Sequence, residues 1–177
     1  MKRIRGFTIV ELMISLSLMA ILAAIAVPSY ERLILTSAAD KFRDDLYSTL
    51  VLARSEALTR GTSVTVCTST DTNVCSDDAD DWQGGWLMFE DKNNDSTLDL
   101  TSEEILSVYQ NFNQRSASLT FNNGDKVRFS RLGGAAGFNG TFNFCRSDAD
   151  YAQYIVLQNS GRARFADVHP TSGSGCP

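Results

Sequence analysis

The sequence predicts an α+β fold in which one long N-terminal helix packs on an antiparallel β-sheet head. Three observations support this fold: an apolar run at 7–27 with a single charge, apolar side chains at helical spacing up to Arg60, and strand-like segments after Gly61. The composition, 43% hydrophobic and 21% charged over 177 residues, fits one folded domain with an appendage and argues against global disorder. We expect four parts, at 1–6, 7–27, 28–61 and 62–177.

The first six residues, MKRIRG, form a short basic leader. Positive charge before an apolar run predicts that the extreme N-terminus stays in the cytoplasm and that the remainder lies across the membrane. As a helix, residues 7–27 would be about 31 Å long, which matches the hydrocarbon core of a bilayer. The alternative is a secretory signal that is cut after its apolar run, near the small residues Ala24, Ala26 and Ser29.

Glu11 is the single charged side chain within the apolar run. A carboxylate inside a membrane helix is costly unless it is paired, so Glu11 is a candidate functional group. Residues 7–27 contain no basic side chain, and a partner must therefore come from another chain or from a new α-amino group. A cut after Gly6 would create such an amine on Phe7, and Glu11 of a neighbouring subunit would pair with it. The alternative is a glutamate that snorkels to the membrane interface.

Gly6, Phe7 and Glu11, with the basic leader before them and the apolar run and Pro28 after them, resemble the class III signal of type IV prepilins and type II secretion pseudopilins. The resemblance implies that a prepilin peptidase cuts between Gly6 and Phe7 and that Phe7 is N-methylated. It also implies a single-pass inner-membrane precursor with its head in the periplasm, which then joins a filament with other pilins. Loss of the leader would change the formal charge from −5 to −8.

The second half of the helix is predicted to be amphipathic. Pro28 is expected to kink the helix without necessarily ending it, because proline removes one backbone hydrogen bond. Gly61 is a plausible C-terminal cap. Apolar side chains recur at three- and four-residue intervals and predict a buried stripe that packs on a sheet. This stripe consists of Phe42, Leu46, Leu50, Ala53 and Ala57.

After Gly61 the spacing of apolar residues changes from the helical period to the pattern of strands. Asn123 with Gly124, and Ser160 with Gly161, mark turns that predict antiparallel hairpins between consecutive strands. The helix would lie on one antiparallel sheet or on two small ones. Eight segments resemble strands. They lie at 62–68, 84–91, 103–110, 118–122, 126–131, 141–146, 154–159 and 162–168.

The head adds a second resemblance. Residues 50–67, LVLARSEALTRGTSVTVC, followed by WQGGW at 82–86, are similar to the GspH/FimT branch of minor pilins and pseudopilins. The resemblance implies a type IV pilin-like fold and a structural role as a low-copy priming or tip subunit of a type IV pilus. The alternative placement is a type II secretion pseudopilin. An enzyme is not expected, because His169 is the single histidine and no phosphate-binding glycine loop is present.

Four cysteines, at 67, 75, 145 and 176, predict disulfides in a head placed outside the cytoplasmic membrane. None forms a C-x-x-C motif, so zinc or thioredoxin-like redox chemistry is disfavoured. Four cysteines allow three pairings. Those between neighbours in chain order, Cys67–Cys75 and Cys145–Cys176, are preferred, and free buried thiols are the alternative.

An acidic segment after the GGWLMFE strand places oxygen side chains at alternate positions, as calcium loops do. The segment departs from the EF-hand pattern at Ser96 and at Ser102, although Glu103 is adjacent. No other cofactor is expected. The alternative is a solvated turn rich in Asn and Asp. The candidate calcium ligands are Asp91, Asn93, Asp95, Thr97 and Asp99.

Arg162 and Arg164 are two apart on a predicted strand, so both guanidinium groups would share one face. Such a pair can bind phosphates. Gly161-Arg-Ala-Arg is similar to the G-R-x-R of FimT-type minor pilins that bind DNA during uptake, which makes DNA a candidate partner. The acidic net charge opposes this interpretation, and a solvated face or a subunit salt bridge is the alternative. Adjacent strands would extend the basic strip with Lys126, Arg128, Arg131 and Arg146.

Overall fold

The computed structural model describes residues 7–78, 82–110, 117–146 and 151–166. The chain divides into two compact units, Met1–Ala38 and Ala39–Pro177, which are described separately below. Ala39 is the first helical residue whose side chain is fully buried, which explains why the second unit begins there. The leader at 1–6 lies outside the described residues.

Helix α1 runs from Ile9 to Arg60 and forms the predicted long helix. The helical assignment continues through Pro28, so the expectation that this proline need not end the helix is confirmed. Gly61 ends α1 with a positive φ of 68°, and its N–H donates to the carbonyl of Ala57 at 3.0 Å. Glycine adopts this left-handed conformation without steric cost, as expected for the cap.

Two four-stranded antiparallel sheets follow the helix, so the α+β prediction is confirmed and, of its two alternatives, the structure has the two small sheets. The first sheet has the order β3-β2-β1-β5, and the second has the order β4-β6-β7-β8. The strands are β1 Ser63–Thr68, β2 Gly85–Asp91, β3 Ile105–Gln110, β4 Ser118–Phe121, β5 Lys126–Phe129, β6 Gly140–Arg146, β7 Tyr151–Leu157 and β8 Ala163–Ala166.

The two predicted hairpin turns have different outcomes. The turn at Ser160 and Gly161 joins β7 and β8, which pair as expected. The hairpin prediction at Asn123 and Gly124 is wrong, because β4 pairs with β6 while β5 pairs with β1. The asparagine side chains explain the difference. Asn122 Oδ1 accepts the N–H of Thr141 at 2.8 Å, and Asn123 Nδ2 donates to carbonyls at 137 and 139, so both side chains hold the β6 side.

The predicted apolar stripe of α1 is buried against both sheets, which confirms its packing role. Phe42 lies where α1 meets both sheets. Its ring lies 5.6 Å from Trp86 of β2 and 5.8 Å from Phe144 of β6, measured between ring centroids. One helical side chain therefore contacts a strand of each sheet.

Tyr109 connects the edge strand β3 to α1 and leads to a pH prediction. Its ring stacks on Trp86 at 4.2 Å, and its hydroxyl hydrogen-bonds Asp45. Burial, followed by the charge and hydrogen bond of Asp45, raises the pKa of Tyr109 from 10.0 to about 12. Because the neutral phenol is the favoured form, its stabilisation is complete below about pH 10 and is lost as the pH rises toward 12.

We expect the ultraviolet absorbance of tyrosinate to show one group titrating near pH 12, and Tyr109→Phe to remove that step. Tyr30→Phe, a change at an exposed position of the first unit, is the control and should leave the step in place. A late step that survives Tyr109→Phe would contradict the assignment.

Candidate functional site

The N-terminal part of α1 exposes a continuous apolar surface. Every large apolar side chain between positions 7 and 27 is at least 54% exposed. By length and composition, this is the one helix among the described residues that could cross a membrane. A surface of this size requires cover, either from lipid or from the helices of other subunits.

Glu11 and Thr8 form a reciprocal cap at the start of α1. The Glu11 N–H donates to Thr8 Oγ1 at 3.2 Å, while Glu11 Oε2 accepts the Thr8 N–H at 2.9 Å and the Thr8 hydroxyl at 3.0 Å. This is the capping-box arrangement, and it places a carboxylate at the positive end of the helix dipole. The sequence carries the signal for this cap, Thr-x-x-Glu, although the apolar composition of 7–27 alone does not indicate it. Within one chain, Glu11 therefore already has partners.

The Cys67–Cys75 disulfide is present, with a Cα–Cα distance of 5.6 Å. Cys67 is buried on the outer face of the first sheet beside Leu87 and Phe89, and Cys75 packs against this cluster. Cys145 is also disulfide-bonded, and the described cysteines include no free thiol. Its expected partner, Cys176, lies outside the described residues.

The acidic loop is organised by hydrogen bonds to its own backbone. Asp91, at the end of β2, is fully buried, and its Oδ2 accepts the Thr65 hydroxyl at 2.9 Å and the Ser96 N–H at 3.1 Å. Asp91 Oδ1 has no hydrogen-bond partner within the described part of the chain. Asp95 Oδ1 accepts the Thr97 N–H at 2.7 Å.

Glu103 closes this loop. One of its carboxylate oxygens accepts the Lys92 N–H and the other accepts the Asp99 N–H, both at 3.0 Å. Hydrogen bonds from the Thr101 side chain, then from its N–H and from the Ser102 hydroxyl, lower the pKa of Asp99. The sequence does not indicate this role of Glu103, because its spacing is that of an imperfect metal loop.

The calcium interpretation finds no support in this arrangement. Apart from Asp91 Oδ1, hydrogen bonds within the protein engage oxygens of Asp91, Asn93, Asp95 and Asp99, four of the five candidate ligands Asp91, Asn93, Asp95, Thr97 and Asp99. Across residues 7–78, 82–110, 117–146 and 151–166, no group of three or more His, Cys, Asp or Glu side chains could hold a metal ion.

Arg162 and Arg164 are both exposed, and Ala163 between them is buried, as expected for two side chains on one outer face. Arg164 lies on β8, the edge strand of the second sheet, while Arg162 precedes it in the turn. Neither guanidinium forms an ion pair with any residue that the structure describes. Gly161, which has a φ of 74°, starts this motif.

The predicted extension of the basic strip through adjacent strands is wrong. Lys126 and Arg128 lie on β5 in the other sheet. Lys126 pairs with Asp125 at 3.2 Å, and Arg128 donates to the carbonyl of Asn94. Arg146 is on β6, which is separated from β8 by β7. Arg131 lies in the loop after β5, and Gly133 of this loop closely approaches Gly161 at the start of the motif.

Three comparisons place this architecture among known proteins. Residues 43–161 match the family described as Type II transport protein GspH, and residues 1–27 match the prokaryotic N-terminal methylation motif. Comparison with curated proteins gives no match.

Two crystal structures of the type IV minor pilin FimU from Pseudomonas aeruginosa are similar in fold. One aligns with a TM-score of 0.54 at 18% identity, and the aligned region covers 77% of this chain and 90% of the FimU chain. The other, in a second crystal form, has a TM-score of 0.50 at 17% identity, with coverage of 73% and 90%. At this identity the likeness shows the fold alone. Together with the family match, it establishes that the chain belongs to the GspH family of structural pilin-like proteins and has the methylation motif and the fold of a type IV minor pilin.

Proposed function

We propose that this chain is a low-copy priming or tip subunit of a type IV pilus. A prepilin peptidase cuts the inner-membrane precursor after Gly6 and methylates Phe7, and the periplasmic head then enters the filament. One observation carries the proposal: the apolar surface of 7–27 has no cover within the described chain, while the head has a complete core of its own. Such a subunit needs neighbouring helices to cover its apolar segment at 7–27, whereas its head needs none.

Glu11 sets the register of the incoming subunit. In the isolated chain, its carboxylate accepts hydrogen bonds from Thr8. On assembly the carboxylate turns to the Phe7 amine of a neighbour, because an ion pair in an apolar filament core holds it more tightly than a neutral hydroxyl does. A subunit in the wrong stagger would leave the Phe7 amine without a carboxylate and Glu11 with the Thr8 hydrogen bonds alone.

The test compares Glu11→Val with the parent chain in cells that lack the native copy. Mass spectrometry of the parent should show a chain that begins at N-methylated Phe7. Glu11→Val should still be cut, but its incorporation into sheared filaments should fall at least about tenfold, since one lost pair in apolar surroundings is worth more than 1.4 kcal/mol. Glu31→Gln, an exposed carboxylate farther along α1, is the matched control and should assemble normally. An uncut parent, or normal incorporation of Glu11→Val, would contradict the proposal.

Counting filaments distinguishes a priming subunit of a type IV pilus from a type II secretion pseudopilin. A priming subunit sets how often filaments start, so its deletion should lower the number of pili while the length of those that remain is unchanged. Loss of exoprotein release with normal pili would instead identify a type II secretion pseudopilin.

DNA binding is the second candidate function, and the surface of β8 favours it. Arg162 and Arg164 are exposed and form no ion pair with the described residues. Behind them, Phe165 stacks on Tyr47 at 4.3 Å, and the Arg43 guanidinium lies 4.8 Å from the centre of the Phe165 ring. The Phe165 ring lies on the opposite face from the two arginines, so the support for DNA binding is the arginine pair itself: two guanidinium groups without ion pairs on one outer face can contact phosphates.

The salt dependence of DNA binding by the detergent-solubilised mature chain tests this second candidate. If both arginines contact phosphates, Arg162→Ala with Arg164→Ala should reduce the slope of log K against log salt by about 1.8. Arg32→Ala with Lys41→Ala removes the same charge elsewhere on the chain and should leave the slope nearly unchanged. No binding at low salt, or equal effects of the two double variants, would exclude the receptor role.

A further inference from the structure

The second sheet has one face toward the core and an outer face that points away from it. Side chains alternate between the two faces along each strand, and Phe142, Phe144 and Ile155 belong to the core. Asn143 and Tyr154 alternate with these residues and therefore point outward. They are partners in the pairing of β6 with β7, so they lie side by side at the centre of the outer face.

The centre of this outer face is buried. Tyr154 is 4% exposed, and Cys145, which also points outward, is 8% exposed. The Asn143 Oδ1 atom is buried as well and accepts no hydrogen bond from any residue that the structure describes. In contrast, Thr120 and Arg164, which point outward from the edge strands β4 and β8, are exposed. A further layer of chain therefore covers β6 and β7 but leaves the edges of the sheet open.

The cysteines identify the segment that can supply this layer. Cys145 is disulfide-bonded, while Cys67 and Cys75 are bonded to each other. Of the four cysteines in the sequence, only Cys176 is left as the partner of Cys145. Because the Cys145 side chain points outward, a bond between these two residues places the chain around Cys176 on the outer face.

The length of chain between β8 and Cys176 fits this path. β8 ends at Ala166, which pairs with Tyr154 and so lies in one row with Tyr154 and Asn143. Cys145 is two strands away from Ala166, about 10 Å across the sheet, and two residues beyond that row, about 7 Å along β6. Ten residue steps lead from Ala166 to Cys176, and they can span up to about 33 Å. The direct path passes over β7 beside Tyr154.

We propose that residues 167–177 form a strap across the outer face of the second sheet, over Tyr154 and Asn143, and that a Cys145–Cys176 disulfide holds the strap in place. Thr171, Ser172 and Ser174 bring hydroxyl groups that can donate to the buried Asn143 oxygen. Val168 is the only aliphatic side chain of the strap apart from its prolines. Burial of so little apolar surface does not offset the entropy of ordering the segment, so the covalent bond decides whether the strap stays closed.

The strap is therefore a redox-sensitive cover. Closing the bond joins the two sulfur atoms and removes two protons and two electrons, and a protein disulfide of the cell envelope accepts them by thiol–disulfide exchange and becomes a dithiol. An external dithiol reverses this step and uncovers Tyr154. Arg164 lies on the open edge strand beside the strap, so both the closed and the open head present this arginine. The inference does not depend on the filament system and stands if the head binds no DNA.

Photo-crosslinking of the oxidised full-length chain tests the position of the strap. Val156 points outward from β7, two residues after Tyr154. With Val156→benzoylphenylalanine, irradiation should link position 156 to a peptide from residues 167–177 of the same chain. The same group at position 52, an exposed site on α1, is the control and should not link to this peptide. An adduct from position 156 with another molecule, or with no part of 167–177, would overturn the proposal.

A peptide map without reduction and the nitration rate of Tyr154 test the bond. The map should join Cys145 to Cys176, and a different partner for Cys145 would contradict the proposal. Cys145→Ser with Cys176→Ser should raise the nitration rate of Tyr154 at least about fivefold, because the strap then opens locally. An unchanged rate would show that the bond does not hold the cover.

Two internal controls separate opening of the strap from unfolding. Tyr47 stacks on Phe165 and Tyr109 stacks on Trp86, so both lie on the core side of the sheets and should keep their nitration rates in the double variant. Cys67→Ser with Cys75→Ser removes the other disulfide and should leave Tyr154 slow. An equal rise at Tyr154 in this control would refute the assignment. The crosslink in the oxidised chain decides the position of the strap even where a cysteine variant does not fold.

Discussion

Phe42→Ala is expected to destabilise the head by about 3–5 kcal/mol, the range for removing a buried aromatic side chain. The Phe42 ring is buried and contacts Trp86, Tyr109 and Phe144. The cavity would open where the helix meets both sheets, so the surrounding strands cannot relax into it without losing other contacts. We expect the loss to be close to the total stability of a small domain, and the variant to be partly unfolded at physiological temperature.

Denaturant unfolding followed by near-ultraviolet circular dichroism would measure this loss. The adjacent change Lys41→Ala provides the control, because its side chain is mostly exposed and makes an ion pair within one helix. Such a surface change should alter the free energy of unfolding by about 0.5 kcal/mol or less. A loss below about 1 kcal/mol for Phe42→Ala would mean that the helix and the sheets are not held together at this residue.

Gly161→Ala is expected to cost about 3 kcal/mol, because two effects coincide at this turn. The backbone has a positive φ of 74°, and an added Cβ would lie 1.9 Å from the Gly133 carbonyl oxygen. Either β8 or the loop at 130–134 must move away, and β8 carries Arg164 of the proposed DNA-binding surface. DNA affinity should therefore fall together with stability.

Gly137→Ala separates the two effects. Gly137 has a similar φ of 83°, but nothing lies within 4 Å of the added Cβ. It should show the backbone cost alone, about 1 kcal/mol, in thermal unfolding. Equal losses of stability in the two variants would show that the Gly133 carbonyl can move away from the added Cβ without an energetic cost.

The elements of this fold were predictable because each has a local cause. The period of the apolar stripe gives the buried face of α1, and strand-like runs bounded by turn residues give the eight strands. Pairing was less predictable, as the two hairpin turns show. Asn123 with Gly124 has stronger turn chemistry than Ser160 with Gly161, yet only the latter joins paired strands. Hydrogen bonds between the side chains of Asn122 and Asn123 and the backbone of residues 137–141 decide the first case, and these partners are distant in sequence.

The candidate functional residues also differ in how much of their role the sequence predicts. Glu11 is conspicuous because a carboxylate is rare in an apolar run, but its present partner, Thr8, follows from a helix-start signal and not from composition. The acidic loop is the opposite case. Alternating oxygen side chains suit both a metal ion and a loop that satisfies its own backbone, so spacing does not distinguish them. The two hydrogen bonds that Glu103 accepts do distinguish a self-satisfied loop from a metal site, and they depend on how the loop folds back.

The Thr8–Glu11 cap changes what assembly must supply. In the proposed assembly, a subunit in the bilayer carries a carboxylate that already accepts two hydrogen bonds from Thr8, which reduces the cost of holding it there before a counter-charge arrives. Joining the filament then exchanges one satisfied state for another, and only the difference between them contributes to growth. Adhesion between subunits must come mainly from the apolar flanks of the helices. In the proposed assembly the glutamate therefore serves mainly for alignment, because only a subunit in the correct stagger exchanges the Thr8 hydrogen bonds for the Phe7 amine of its neighbour.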